Sequence, residues 1–225
     1  ALITHLSAIK SSIPFVHFFD GFRTSHELNK ISILSEESIL PLIDKEALTE
    51  FKNRAINIGK PITRGTSQTE DVYFQNTESR NKYYMELPNV VNSCMQELNR
   101  VARTDYKPFN YYGSPNAKHV IIAMGSVTDT IKLTIEEMTK NGEEAGLINV
   151  HLFRPFSSEY FLNSLPKTVT KITVMDRTKE TGETGAPLYL DVCEVLKNEN
   201  IDIYSSRYGL SSKGATPQDI KAIFN

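Results

Sequence analysis

The side chains best placed for chemistry lie between Asp176 and Pro187. Asp176, Arg177, Lys179 and Glu180 precede Gly182 and Gly185, and a helix-like pattern follows. Basic side chains beside free backbone N–H groups could hold an anion. The same residues would also arise if Asp176 and Arg177 paired with a neighbouring domain while the glycines allowed a tight bend, and this second reading is preferred. Gly125-Ser126, between an apolar run and a helical pattern, resembles half of a phosphate loop. It lacks G-x-G-x-x-G, and no Walker lysine pattern occurs in the chain. A tight turn is the preferred reading there. The anion-site candidates are therefore Gly125, Ser126, Arg177, Lys179, Gly182 and Gly185.

Other constellations lead away from catalysis. His17 and His26 lie nine residues apart near Asp20 and Glu27, without the i,i+4 spacing of a helical His pair or a supporting Cys, so no metal site is expected. His26 with Glu27 is read as a capped loop rather than acid–base machinery. Cys94 and Cys193 fall in helix-like apolar patterns and read as reduced, buried thiols. Two cysteines are too few for a cubane cluster. No G-x-S-x-G nucleophile elbow is present. No catalytic residue is assigned.

The elements that would position these residues are clearest beyond residue 116. Apolar runs at Val120–Met124, Gly146–Val150, Ile172–Met175 and Ile201–Tyr204 read as strands. Between them, Val127, Ile131, Ile135 and Met138 share a helical face that Asn141-Gly142 ends, and Ser126 with Asp129 makes its start. Helices are also expected from about Ser157 with Phe161, Leu162 and Leu165, over Leu188, Val192 and Val195, and after Thr216-Pro217. Strand and helix alternate four times. The fold class is α/β: an open, mostly parallel Rossmann-like sheet with helices on both faces, preceded by an extended helical arm.

Residues 1–54 hold Phe15–Phe19, read as a buried strand closing at Asp20-Gly21, and two short helices capped by Ser35 and Asp44, with Leu48 and Phe51 inward in the second. Residues 55–115 read as an arm. It contains Asp71-Val72-Tyr73-Phe74-Gln75, and a long helix over Tyr84, Leu87, Val91, Met95, Leu98 and Val101 that Pro88 interrupts or kinks. An aromatic linker runs from Thr104 to Pro115. Residues 116–225 form the sheet domain.

With 25 Lys and Arg against 27 Asp and Glu, the net charge of -2 gives no general attraction to nucleic acid or anionic lipid. No apolar run approaches the roughly 18 residues of a membrane span. The chain opens on Ala1 without an initiator Met, and the expectation is a piece of a longer polypeptide.

Several segments resemble a known family. Ile13-Pro14-Phe15-Val16-His17-Phe18-Phe19-Asp20-Gly21-Phe22-Arg23-Thr24-Ser25-His26-Glu27 is similar to the end of the first domain of pyruvate:ferredoxin (flavodoxin) oxidoreductases. Arg64–Gln68 with Asp71–Gln75 resembles the connecting arm. Leu152–Phe156, Asp176–Glu180 and Arg207–Lys213 resemble markers of the second, transketolase-C-terminal-like domain. By this resemblance Arg23, His26, Glu27, Arg64, Asp71, Arg154, Asp176 and Arg177 are suspected interdomain contacts.

The resemblance implies an enzyme that oxidatively decarboxylates pyruvate to acetyl-CoA and CO2 with thiamine diphosphate, Mg, 4Fe-4S clusters and CoA. The electrons pass to ferredoxin, flavodoxin or, in a fused flavoprotein reductase variant, NADP. Within these 225 residues it implies scaffold and no cofactor. The implied partners are the other domains of the polypeptide and a homodimer mate. The implied compartment is the cytoplasm, or a mitochondrion-derived organelle if the Lys- and Asn-rich composition reflects a protist. The competing readings are a free-standing nucleotide- or CoA-binding module and a protein-interaction module docking through its aromatic arm.

Overall fold

Val120, Ile121, Ile122 and Ala123 form a four-residue apolar run because both sides of their strand are covered. The four side chains alternate between two separate cores. The computed structural model describes residues 1–63, 65 and 67–225, and of Arg23 only the backbone. Arg64, and the side chain of Arg23, thus lie outside the described residues.

In chain order the helices and strands are α1 (Leu2–Ser11), α2 (Arg23–His26), α3 (Glu36–Ile39), α4 (Lys45–Asn53), α5 (Glu70–Glu78), α6 (Asn81–Ala102), β1 (Phe109–Gly113), β2 (His119–Ala123), α7 (Val127–Lys140), β3 (Ala145–Val150), α8 (Ser158–Ser164), β4 (Lys171–Asp176), α9 (Pro187–Leu196), β5 (Asp202–Arg207) and α10 (Pro217–Phe224). Two units emerge. One holds residues 1–17 and 31–106, and the other holds 18–30 and 107–225.

The helical unit is built on α6, whose Leu87, Val91, Cys94, Met95 and Leu98 recur at three- and four-residue steps and are buried. α1 packs on that face with Leu6 and Ser7. α6 continues through Pro88, which is itself buried. Tertiary packing of this face offsets the backbone hydrogen bond that proline cannot donate. Asp44 caps α4 by accepting the Ala47 N–H at 2.9 Å. Phe51, expected to point inward, is 56% exposed. Residues 71–75 lie within α5, with Tyr73 and Phe74 outward.

The sheet unit has strand order β1-β3-β2-β4-β5, parallel except for β1, which runs antiparallel to β3. The four strands read from apolar runs are present, with edges shifted by a few residues. β1 is the addition. Phe109–Gly113 lies within the stretch read as an aromatic linker, but it pairs with Gly146–Val150 of β3, Phe109 opposite Val150 and Gly113 opposite Gly146. Asn110 interrupts its three aromatics and Gly113 ends them, so it lacks the continuous apolar run that marks a central parallel strand.

α7 and α10 cover one face through Val127, Ile131, Ile135, Met138 and Ile220 against Ile121, Ala123, Ala145 and Leu147. α8 and α9 cover the other through Phe161, Leu188, Val192 and Leu196 against Val120, Ile122, Ile148, Ile172 and Val174. Phe15–Phe19, read as a buried strand, has no regular structure, and Val16 is 85% exposed. Apolar composition alone does not supply a pairing partner, and this segment has none in the sheet.

Candidate functional site

The sheet order creates one position with the geometry of a ligand crevice. β2 and β4 are neighbours, yet the chain runs from β2 outwards to β3 on one side and from β4 outwards to β5 on the other. Where the strand order reverses in this way, a crevice opens at the carboxyl ends of the two strands. Here its walls are Gly125-Ser126 after β2 and Arg177 after β4. These are three of the six anion-site candidates.

An anion of the chain itself lies there. The Asp20 carboxylate accepts a hydrogen bond from Arg177 Nη1 at 2.6 Å on Oδ1 and from the Ser126 backbone N–H at 2.5 Å on Oδ2. Gly125 sits at φ +83, and a Cβ there would come 2.7 Å from Asp20 Oδ2, so glycine is what lets the carboxylate approach this turn. Thr24 donates to the Ser126 hydroxyl at 3.4 Å. Arg177 is aimed from behind, with its Nε donating to the Gly209 carbonyl at 3.1 Å. A Cβ on Gly209 would meet that Nε at 2.9 Å. The Asp20 and Arg177 side chains are 12% and 28% exposed.

The electrostatics follow from this arrangement. Burial opposes ionisation of Asp20, but the Ser126 hydrogen bonds and the Arg177 charge outweigh it and hold the carboxyl below its ordinary value. Tyr208, whose hydroxyl donates to the Met124 carbonyl at 3.3 Å, has its phenol pushed up to about 12, first by burial and then by the Asp20 charge.

The remaining loop candidates serve the loop. Asp176 is buried and accepts the N–H groups of Leu188 at 3.2 Å and Tyr189 at 3.1 Å, capping the first turn of α9. Burial pushes its carboxyl up despite those two bonds. Lys179 lies 3.7 Å from Glu183, which also pairs with Arg207. Glu183 accepts the Glu180 N–H at 3.0 Å, and that bond, with the two cations, holds its carboxyl low. Gly182, at φ +84, faces open space, while a Cβ on Gly185 would strike the Tyr189 ring at 2.7 Å.

The other suspected contacts are dispersed. Arg154 donates to Asp191 at 2.5 Å and stacks over the Phe153 ring at 4.0 Å. His26 is exposed and its Nδ1 lies 2.6 Å from the Phe22 carbonyl, within the turn of α2. Glu27 and Asp71 are exposed. Among the described residues no group of three or more His, Cys, Asp and Glu converges as a metal site. Both cysteines are free thiols, Cys94 buried and Cys193 half-buried. Asp20 is the residue of this crevice that the sequence marks only by its place near His17 and His26. Its one local signal is a carboxylate at the start of a turn, Asp20-Gly21, flanked by aromatics.

Two further clefts of about 210 Å3 are present, one in each unit. In the helical unit, Lys10, Asp44, Cys94 and Glu97 line a cleft in which Lys10 pairs with Glu97 at 3.4 Å. In the sheet unit, Arg207, Tyr208, Gly209, Lys213 and Asp219 line a cleft beside α10. Asp219 is engaged there in a capping box with Thr216.

Comparison with known proteins gives one consistent answer. A family model described as "Pyruvate flavodoxin/ferredoxin oxidoreductase, thiamine diP-bdg" matches residues 1–96, and "Pyruvate:ferredoxin oxidoreductase core domain II" matches residues 117–220. The chain is 46% identical over its whole length to pyruvate:ferredoxin oxidoreductase of Moorella thermoacetica and 45% identical to pyruvate-flavodoxin oxidoreductase of Enterobacter agglomerans, in each case spanning 19% of the relative. It is 47% identical over 96% of its length to pyruvate dehydrogenase [NADP(+)] of Cryptosporidium parvum, spanning 12% of that protein. With the two family models falling in order along it, the chain belongs to the pyruvate:ferredoxin (flavodoxin) oxidoreductase family, and it spans a fifth or less of each of these relatives.

Proposed function

We propose that this chain is the scaffold segment of an enzyme that oxidatively decarboxylates pyruvate to acetyl-CoA and CO2. The observation that carries this reading is the Asp20 carboxylate in the switch-point crevice. A free-standing nucleotide-binding module would keep that crevice open for a phosphate. Here Arg177 and the Ser126 N–H are already engaged by a residue of the same chain.

The family implies thiamine diphosphate, and neither the switch-point crevice nor the cleft of the helical unit fits it. The crevice is filled by a carboxylate. The cleft of the helical unit sets Asp44 and Glu97 beside the single ammonium of Lys10, a lining that repels a diphosphate. The groups that hold thiamine diphosphate, Mg, the 4Fe-4S clusters and CoA are assigned to other parts of a longer protein.

The proposed organisation is a remnant of the thiamine-binding domain over 1–54, an arm over 55–115 and a transketolase-C-terminal-like domain over 116–225. The edge strand β1 falls within the arm's range. The exposed aromatics Phe18, Phe19 and Phe22 of the sheet unit, and Tyr73 and Phe74 of the helical unit, offer surfaces on which the other domains of the same polypeptide, or a homodimer mate, would pack. The proposed electron acceptor is ferredoxin, flavodoxin or a fused NADP-linked reductase. The proposed compartment is the cytoplasm or, as for the mitochondrial relative of Euglena gracilis, an organelle. No helix among the described residues is long and apolar enough to cross a membrane.

Pyruvate- and CoA-dependent reduction of a low-potential dye tests the proposal. The longer polypeptide carrying this sequence is expected to turn over, and the 225-residue chain alone is expected to show neither turnover nor iron–sulfur absorbance. Activity in the isolated chain would overturn the scaffold role. Calorimetric binding of CoA, NADP or thiamine diphosphate to the chain at about micromolar affinity or tighter, ~-8 kcal/mol, would support the module reading instead.

A further inference from the structure

The geometry points to a carboxylate-recognition site between the ends of β2 and β4 whose ligand is Asp20, so that residues 18–30 form a strap latched onto the sheet unit. Three independent features converge on the one carboxylate. The backbone N–H of Ser126 stands at the start of a four-turn helix, where N–H groups lack partners and favour negative charge. Arg177 supplies a guanidinium already oriented by the Gly209 carbonyl, so little side-chain freedom is lost when the carboxylate docks. Glycines stand at both places where a side chain would collide with the pair, 2.7 Å from Asp20 Oδ2 at Gly125 and 2.9 Å from Arg177 Nε at Gly209.

Beside Asp20, Thr24 ties the strap to the Ser126 hydroxyl at 3.4 Å. Among the described residues its regular structure is the four-residue α2, and Phe18, Phe22 and Leu28 are exposed. Residues 18–30 nevertheless belong with the sheet unit, while the segments on either side of them in sequence do not. Asp20 is therefore the anchor and Arg177 its positioning residue. This assignment rests on the sheet unit alone and is independent of the pyruvate reading.

Limited proteolysis within residues 18–30 tests the latch. Trypsin cleavage after Arg23 is followed in the wild-type protein and in Asp20→Asn, Asp20→Ala, Gly125→Ala and Arg177→Lys, with amide exchange of β2 and β4 as the folding control. At least tenfold faster cleavage is expected in the Asp20 and Gly125 variants and a smaller increase in Arg177→Lys, with the sheet amides unchanged. Rates within twofold of wild type in both Asp20→Asn and Gly125→Ala would overturn the latch.

Discussion

Arg177 holds the carboxylate of Asp20 at 2.6 Å although 157 residues separate them in the chain. The contact is mostly shielded, and Ser126 completes it from a second loop. A half-shielded pair with a hydrogen bond on each carboxylate oxygen differs from a solvated surface ion pair, which contributes almost nothing.

Acidification should release the strap. The carboxyl of Asp20 in the folded protein titrates below its ordinary value of 3.8. Its stabilising contribution is thus complete above 3.8 and is lost as pH falls through the lower, folded value. Arg177 and Ser126 face the group directly, and Tyr208, whose phenol is pushed up to about 12, lies nearby. Pepsin cleavage around Phe18–Phe22 should accelerate between about pH 4 and pH 2 in the wild type. In Asp20→Asn it should already be fast at pH 4.

Asp176→Ala should cost about 1–3 kcal/mol, because the Leu188 and Tyr189 N–H groups at the start of α9 lose their acceptor. Urea denaturation followed by circular dichroism measures it. A loss below about 0.5 kcal/mol would mean that water replaces the carboxylate without penalty.

The ring of His119 lies against Phe224 at 5.0 Å between centroids, and its Nε2 is 2.9 Å from the Thr173 hydroxyl. Burial, then the Lys171 charge, lowers its pKa to about 4 from 6.5. The unfolded chain takes up the proton first, so stability should fall as pH drops from 6.5 towards 4 and level off below. Allowing for partial exposure, the loss is on the order of 1–2 kcal/mol. Denaturation midpoints measured across this range should show the slope in the wild type and a flattened one in His119→Phe.

Phe161→Ala should cost about 3–5 kcal/mol, since this fully buried ring fills the space between Phe109 at 5.5 Å and Phe156 at 5.4 Å. The same substitution at exposed Phe74 should stay within about 0.5 kcal/mol in equilibrium unfolding of the chain.

How far the sequence alone reaches depends on how local the determining interactions are. The runs Val120–Ala123 and Ile172–Met175 announce strands buried on both faces, and the Thr216-Pro217-Gln218-Asp219 segment announces a helix start, because each signal is complete within a few residues. The capping role of Asp44 is legible for the same reason. The edge strand β1 was not, because pairing with β3 defines it rather than an alternation of its own. Phe15–Phe19 misleads in the opposite sense, as its aromatics resemble a buried strand but the segment is not one of the strands of the sheet.

The site divides along the same line. In sequence, Gly125-Ser126 and Arg177 stand in two separate loops as anion-site candidates, with a tight turn preferred for the first and a pairing of Arg177 with a neighbouring domain for the second. That the anion is Asp20 was decided only by tertiary structure. Strand order brings the ends of β2 and β4 together, and a carboxylate 106 residues before Ser126 in the chain reaches them through space. Local preference along a chain carries no record of which distant segment returns to it. The local apolar patterns thus determined the α/β body, and the folded arrangement determined both the crevice and what occupies it.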